Sequence, residues 1–216
     1  MKIFQKNPRR TLHYTMSLIG GISGSYAILI RGGNFGAAET TNLIELFLDM
    51  ARFDLPDILI RLGILCLYSS SIVLAHLAEK KLPSGNIRLC LAAESLCILL
   101  AGFLPISVHP LVALYPIFAM SALQWQTFTC PETYNSSTIF STNNLKQALL
   151  SWTDYRLERN PSQKARAVFF TMTLAFFHAG VLLGWFAVQA FGTRAIWTAL
   201  LPLLWARSTL SGLKSR

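Results

Sequence analysis

Residues 12–54 read LHYTMSLIGGISGSYAILIRGGNFGAAETTNLIELFLDMARFD, and their pattern decides the fold. Residues 12–30 are largely apolar. At ~1.5 Å per residue they make a helix of ~28 Å, enough to cross a hydrocarbon core. The run breaks at Arg31-Gly32-Gly33, and with Gly36 the segment 31–42 is a poor helix former. Asn42-Leu43-Ile44-Glu45 then reads as an Asn variant of the N-terminal capping box. Leu43, Ile44, Leu46, Phe47, Met50 and Ala51 fall on one face of the helix it opens, with Glu45, Asp49 and Arg52 opposite. This helix is too short to span a bilayer.

The chain has 216 residues, 53% hydrophobic and 13% charged, with a mean hydropathy of +0.45. Soluble domains carry about 25% charged residues, so this composition calls for a bilayer. The net charge of +9 raises nucleic acid as a partner. The basic residues sit in short clusters between apolar runs rather than on one stripe, which excludes that reading. Cys66, Cys90, Cys97 and Cys130 match no metal spacing, and the first three lie in apolar runs as small buried hydrophobes.

Further spans are expected at 57–78, 86–108, 110–128, 165–191 and 194–213, the last kinked at Pro202. Lys80-Lys81-Leu82-Pro83-Ser84-Gly85 forms a tight turn between two of them. Residues 129–144 are a second polar break containing Pro131. Asn144-Leu145-Lys146-Gln147 opens a second short helix, with Leu145, Ala148, Leu149 and Trp152 on one side. A basic start before an apolar run also fits a signal peptide cleaved near Ser25-Tyr26-Ala27. The length of the run and the repeat described next argue against it.

Lys and Arg placement orients the spans. Fifteen fall on one side: Lys2, Lys6, Arg9 and Arg10, then Lys80, Lys81 and Arg88, then the group from Lys146 to Arg166, then Arg207, Lys214 and Arg216. Four fall on the other: Arg31, Arg52, Arg61 and Arg194. Six spans with both termini in the cytoplasm satisfy every loop of a plasma-membrane protein.

Shifted by 101 positions, Thr40-Thr41-Asn42 falls on Ser141-Thr142-Asn143, and the two short helices coincide. Span, break, short helix, span, span thus occurs twice, in 1–108 and 109–216. The expected fold is all-α, six transmembrane helices in two inverted three-helix repeats, each with a broken segment and a short helix. Such inverted repeats characterise secondary transporters.

Gly32-Gly33-Asn34-Phe35 followed by Thr40-Thr41-Asn42, with Gly21 and Gly24 before it, resembles the YoaK family, the DUF1275 group of small bacterial membrane proteins. Ala119-Met120-Ser121-Ala122-Leu123-Gln124 looks like that family's second-half pattern. The resemblance covers nearly the whole chain and implies the six-span plan. The family's acidic position in the first span falls here on Gly24, its T-G-N glycine on Thr41, and its second-half Asn on Trp125.

Glu94 is the sharpest candidate for chemistry: an isolated carboxylate about eight residues into the third span, ~12 Å deep, must be protonated or paired. Gln124 or Gln126 would supply an amide partner if the helices touch. His178 in the fifth span offers a proton relay with Glu94 or a buried neutral ring. The breaks place Thr40, Thr41, Asn42, Asn143 and Asn144 at two helix N-termini, where a small polar or anionic solute would be held if the breaks re-enter the membrane. Gly20 and Gly24 form a GxxxG face for close packing, within the chain or in a homo-oligomer. With no P-loop, HExxH, CxxC or GxSxG in the sequence, neither a catalytic residue, a metal site nor a cofactor is expected, and an enzyme is not. The expected partners are the lipid bilayer and a small polar solute. The expected function is that of a permease-like protein moving that solute, with protons as the candidate coupling ion. A non-transporting scaffold or accessory subunit is the alternative.

Overall fold

Residues 8–37, 39–83, 85–128 and 134–214 of the computed structural model are described below. Lys2, Lys6, Cys130, Pro131 and Arg216, which entered the sequence reading, lie outside the described residues. The helices are α1 (Pro8–Ile30), α2 (Glu39–Arg52), α3 (Leu55–Lys81), α4 (Asn86–Phe103), α5 (Pro110–Ala113), α6 (Tyr115–Thr127), α7 (Thr142–Glu158), α8 (Pro161–Phe191), a 3-10 helix (Gly192–Ala199) and α9 (Leu200–Lys214). Among the described residues there is no strand.

Among the described residues, three helical stretches are long and apolar enough to cross a membrane: Leu55–Lys81, Asn86–Phe103 and Pro161–Leu210. The other expected spans fall short for identifiable reasons. α1 has 23 residues but carries His13 and a row of Ser and Thr that lower its hydropathy. The expected fourth span is cut at Leu114, because Pro110 and Pro116 each start a helix and cannot continue one. Pro202 does not kink a continuous sixth helix. It lies in the first turn of α9, where a missing N–H costs nothing, and the chain before it is wound as the 3-10 helix.

α1 is the central element. Thr15 and its buried serines are satisfied on its own backbone: Thr15 donates to Thr11 O at 2.9 Å, Ser17 to His13 O at 2.9 Å, Ser23 to Ile19 O at 3.0 Å and Ser25 to Ile22 O at 3.0 Å. It packs most closely on α8. A methyl group at Gly21 would strike Phe177 O, one at Gly180 would strike Leu18 O, and one at Gly184 would strike the Ser25 hydroxyl. Small residues on both helices therefore bring the two backbones together.

The packing exchanges the two halves. α1 packs on α8 and α9, while α6 packs on α3 and α4. α2 lies against α3, and α7 against α8. The α2–α3 and α7–α8 corners share one construction. Each has a left-handed residue (Phe53, φ 59°; Arg159, φ 55°), then Asp54 or Asn160 as N-cap, then a proline in the first turn.

Arg31, read from sequence as an outer-loop charge, is buried. Its guanidinium donates to Leu104 O at 2.7 Å, Pro105 O at 3.0 Å and the Tyr26 hydroxyl at 3.2 Å, and that hydroxyl donates to Ala101 O at 3.2 Å. A cation on the terminal carbonyls of α4 complements the negative end of that helix.

Candidate functional site

Both breaks fold against α1. A methyl group at Gly24 would meet the Phe35 ring of the first break, and one at Gly20 would meet Thr138 O of the second. The GxxxG face is thus covered by the chain's own two irregular segments. Where they approach one another they leave a cavity of about 300 Å3, lined by Gly24, Phe35, Ile139, Phe140, Thr142 and Phe177 among others.

The two short helices are inside out. α2 buries Asn42, Leu46 and Asp49 while Ile44 (57%), Phe47 (67%) and Met50 (50%) are exposed. The sequence reading gave two opposite faces and no direction; the chain turns Asp49 inward to Arg61 Nε, 2.6 Å away, because a buried pair needs both partners on one side. α7 follows in part: it buries Asn144, Ala148 and Ser151, and exposes Leu145, Leu149 and Leu150 together with Lys146. Each buried residue of α7 stands 102 positions after its counterpart in α2, so Asn42 corresponds to Asn144, one position on from the pairing read off the sequence.

Neither Asn caps its helix. α2 begins at Glu39, and Asn42 Nδ2 donates back to Glu39 Oε1 at 2.9 Å and to Arg61 O of α3 at 3.4 Å. With both amide hydrogens directed at oxygens, Oδ1 is the free end, and it is buried without a partner, as are Glu39 Oε2 and the Tyr68 hydroxyl. Glu39 lies close enough to Tyr68 to act on it electrostatically. In the second half Asn144 staples the break shut. Nδ2 donates to Ser137 O at 2.6 Å and Phe140 O at 3.0 Å, and Oδ1 accepts from the Ser136 hydroxyl at 3.0 Å and Ser137 N at 3.3 Å. Since the Ser136 hydroxyl hydrogen is used on Asn144, the His13 Nε2 that contacts Ser136 Oγ at 3.0 Å is the donor there.

Gln124 joins the second cluster, not Glu94. Its Nε2 donates to Met16 O at 2.8 Å and Thr138 Oγ1 at 2.9 Å, and its Oε1 is buried without a partner. Gln126 reaches Glu79 at 3.3 Å. Glu94 is fully buried and accepts from the Cys90 thiol one turn away on its own helix, at 3.4 Å. His178 is exposed and bonded to Leu174 O of its own helix at 2.8 Å, so it forms no relay with Glu94: the ring sits on the outer face of α8. Thr40 and Thr41 are exposed, and Asn143 Nδ2 donates to Asn135 O at 2.6 Å. The structure therefore divides the expected residues between two polar clusters, one around Asn42 and one around Gln124 and Asn144, and leaves Glu94 and His178 outside both. His13, Tyr68, Ser136, Ser137 and Thr138 were not singled out from sequence. The helical spacing of His13, Ser17 and Gly20, four and then three residues apart on a helix with a row of Ser and Thr, was the one available signal.

The family model for "Protein of unknown function (DUF1275)" matches residues 12–207. The chain belongs to the DUF1275 family. No curated protein and no solved structure matches it. The match to this DUF1275 chain spans both breaks, both short helices and both polar clusters. Its apolar helices are consistent with a membrane protein.

Proposed function

We propose that this protein is a permease-like plasma-membrane protein with six crossings, arranged as two inverted three-helix halves with both termini in the cytoplasm. It binds and moves a small polar solute. The observation that carries this reading is the inside-out character of α2 and α7. A short helix on a water-exposed surface hides its apolar face; one surrounded by hydrocarbon hides its polar face. Both helices then lie at membrane depth, and both breaks are re-entrant segments tolerated because protein covers them. The exchanged packing, the two corners of matching construction and the constant 102-residue spacing of buried positions support the repeat.

The unpartnered buried acceptors suggest the solute. Glu39 Oε2 and Asn42 Oδ1 stand open in the first cluster, with the Tyr68 hydroxyl, and Gln124 Oε1 stands open in the second, so a donor would suit either cluster: an amine, an amide or a hydroxyl. This narrows the earlier expectation, which included anions. The role in proton coupling passes from Glu94 to Glu39, the carboxylate beside Asn42.

A second reading, the non-transporting scaffold, is favoured by the surroundings of Glu94, where Leu91, Ile98 and Ala101 belong to the apolar core. A thermal-shift screen of the detergent-purified protein against amines, amino acids, sugars, nucleobases and anions separates the two. A ligand at 100 times its Kd adds ~2.7 kcal/mol of stability. Transport predicts a saturable shift from a donor-bearing solute that Asn42→Ala or Gln124→Leu removes and Asn143→Ala retains. A flat response across the panel favours the scaffold.

A further inference from the structure

A cleft of about 520 Å3 opens between α4 and α9, away from both breaks. Arg88 and Arg207 line it, together with Leu91, Ser95, Leu203 and Leu204. Arg88, in the first turn of α4, precedes the other lining residues of that helix, and Arg207 follows the other lining residues of α9. Trp197, just before α9, donates to Leu99 O near the end of α4, so the two helices run antiparallel and both arginines stand at one end of the cleft. That end is also where α3 finishes with Lys80 and Lys81. The wall beyond them is apolar: the Ser95 hydroxyl is turned onto Leu91 O of its own helix at 2.8 Å, and Leu204 is 63% exposed along the outer face.

Two permanent cations above an apolar trough match one class of molecule. Guanidinium groups grip phosphate oxygens in pairs. Basic clefts between membrane helices on the cytoplasmic side suit anionic headgroups. A water-soluble anion would use the arginines and leave the leucine-lined trough uncovered. We propose that this cleft binds an anionic phospholipid, with its phosphate at Arg88 and Arg207 and one acyl chain along Leu91, Leu203 and Leu204. The proposal rests on the membrane part of the functional reading and is independent of solute transport.

Native mass spectrometry of the full chain in detergent, titrated with phosphatidylglycerol or phosphatidylcholine, tests it. The expected result is a preference for phosphatidylglycerol on the order of tenfold. Arg88→Gln/Arg207→Gln removes the preference, and Lys80→Gln/Lys81→Gln retains it. Ser95→Phe, which fills the trough with both arginines intact, must also reduce occupancy. Equal binding of the two lipids overturns the proposal, as does equal loss in the lysine pair, which would mean diffuse surface attraction. Displacement by water-soluble glycerol phosphate at the same concentration as the lipid overturns it in favour of a soluble-anion site. Release of the protein from membranes by alkaline carbonate would defeat the membrane reading itself.

Discussion

Asp49 Oδ2 and Arg61 Nε lie 2.6 Å apart, both residues buried, across the contact between α2 and α3. Glu45 stands 4.0 Å from the same guanidinium. This pair explains why α2 turns Asp49 inward and Ile44, Phe47 and Met50 outward. Removing one partner strands the other: Asp49→Ala should cost about 3–5 kcal/mol, and Asp49→Leu/Arg61→Met markedly less. Thermal unfolding in detergent measures both, and a double variant as unstable as the single would refute the pairing.

The outward residues of the short helices carry a second expectation. Phe47→Asp and Leu149→Asp place a charge in hydrocarbon, at roughly 2.5–3.5 kcal/mol each, and should lower the folded, membrane-extracted yield of a fluorescent fusion. Thr153→Asp, close to the end of α7, should not. Unchanged yields for all three would mean that α2 and α7 face water.

Asn144 and Asn143 are adjacent but not equivalent. Asn144→Ala removes four hydrogen bonds and orphans Ser137 O and Phe140 O, at about 1–3 kcal/mol per stranded group. Asn143→Ala loses the single bond to Asn135 O and should stay within about 1 kcal/mol of the parent. Denaturant titration of the pair decides this, and reversed sizes would show that Asn143 holds the break.

Gly180→Val should abolish the folded state, because the new side chain meets the Leu18 backbone rather than a side chain that can swing aside. Gly85→Ala, with Leu82 at ordinary contact distance, should be tolerated. Size-exclusion profiles of the two variants are the readout.

Glu94→Gln keeps the shape of the side chain and its acceptor for the Cys90 thiol, so folded yield should hold. In a reconstituted uptake assay its pH profile should match the parent's, whereas Glu39→Gln should flatten it. A flattened profile for Glu94→Gln instead would return proton coupling to α4.

Much of the plan was legible from composition and punctuation. The breaks were announced by Gly32, Gly33 and Gly36 and by the Ser/Thr/Asn run ahead of Thr142. Three of the apolar runs are among the stretches long enough to cross. What could not be read was direction. Amphipathicity shows that a helix has two faces, but which face turns inward depends on the medium, and Asp49 had no visible partner until α3 placed Arg61 opposite it. Asn42 and Asn144 looked like caps because they stand near helix starts; one or more residues of extra helix before each turned them into tertiary ligands. Gln124 could not be assigned because its partners, Met16 O and Thr138, lie 108 and 14 positions away. Arg31 carried the same charge as the loop arginines, and nothing local revealed that the carbonyls at 104 and 105 would take it inside.

The close contact of α1 with α8 also bears on how the protein is made. The groove formed by Gly21 and its neighbours has no occupant until Gly180 and Gly184 have left the ribosome. The first helix must therefore wait, its serines bonded to its own backbone, while most of the polypeptide is still being synthesised. Biogenesis is then a late, concerted closure rather than a sequential one. A nascent chain halted before α8 presents an open groove to whatever chaperone guards the insertion site.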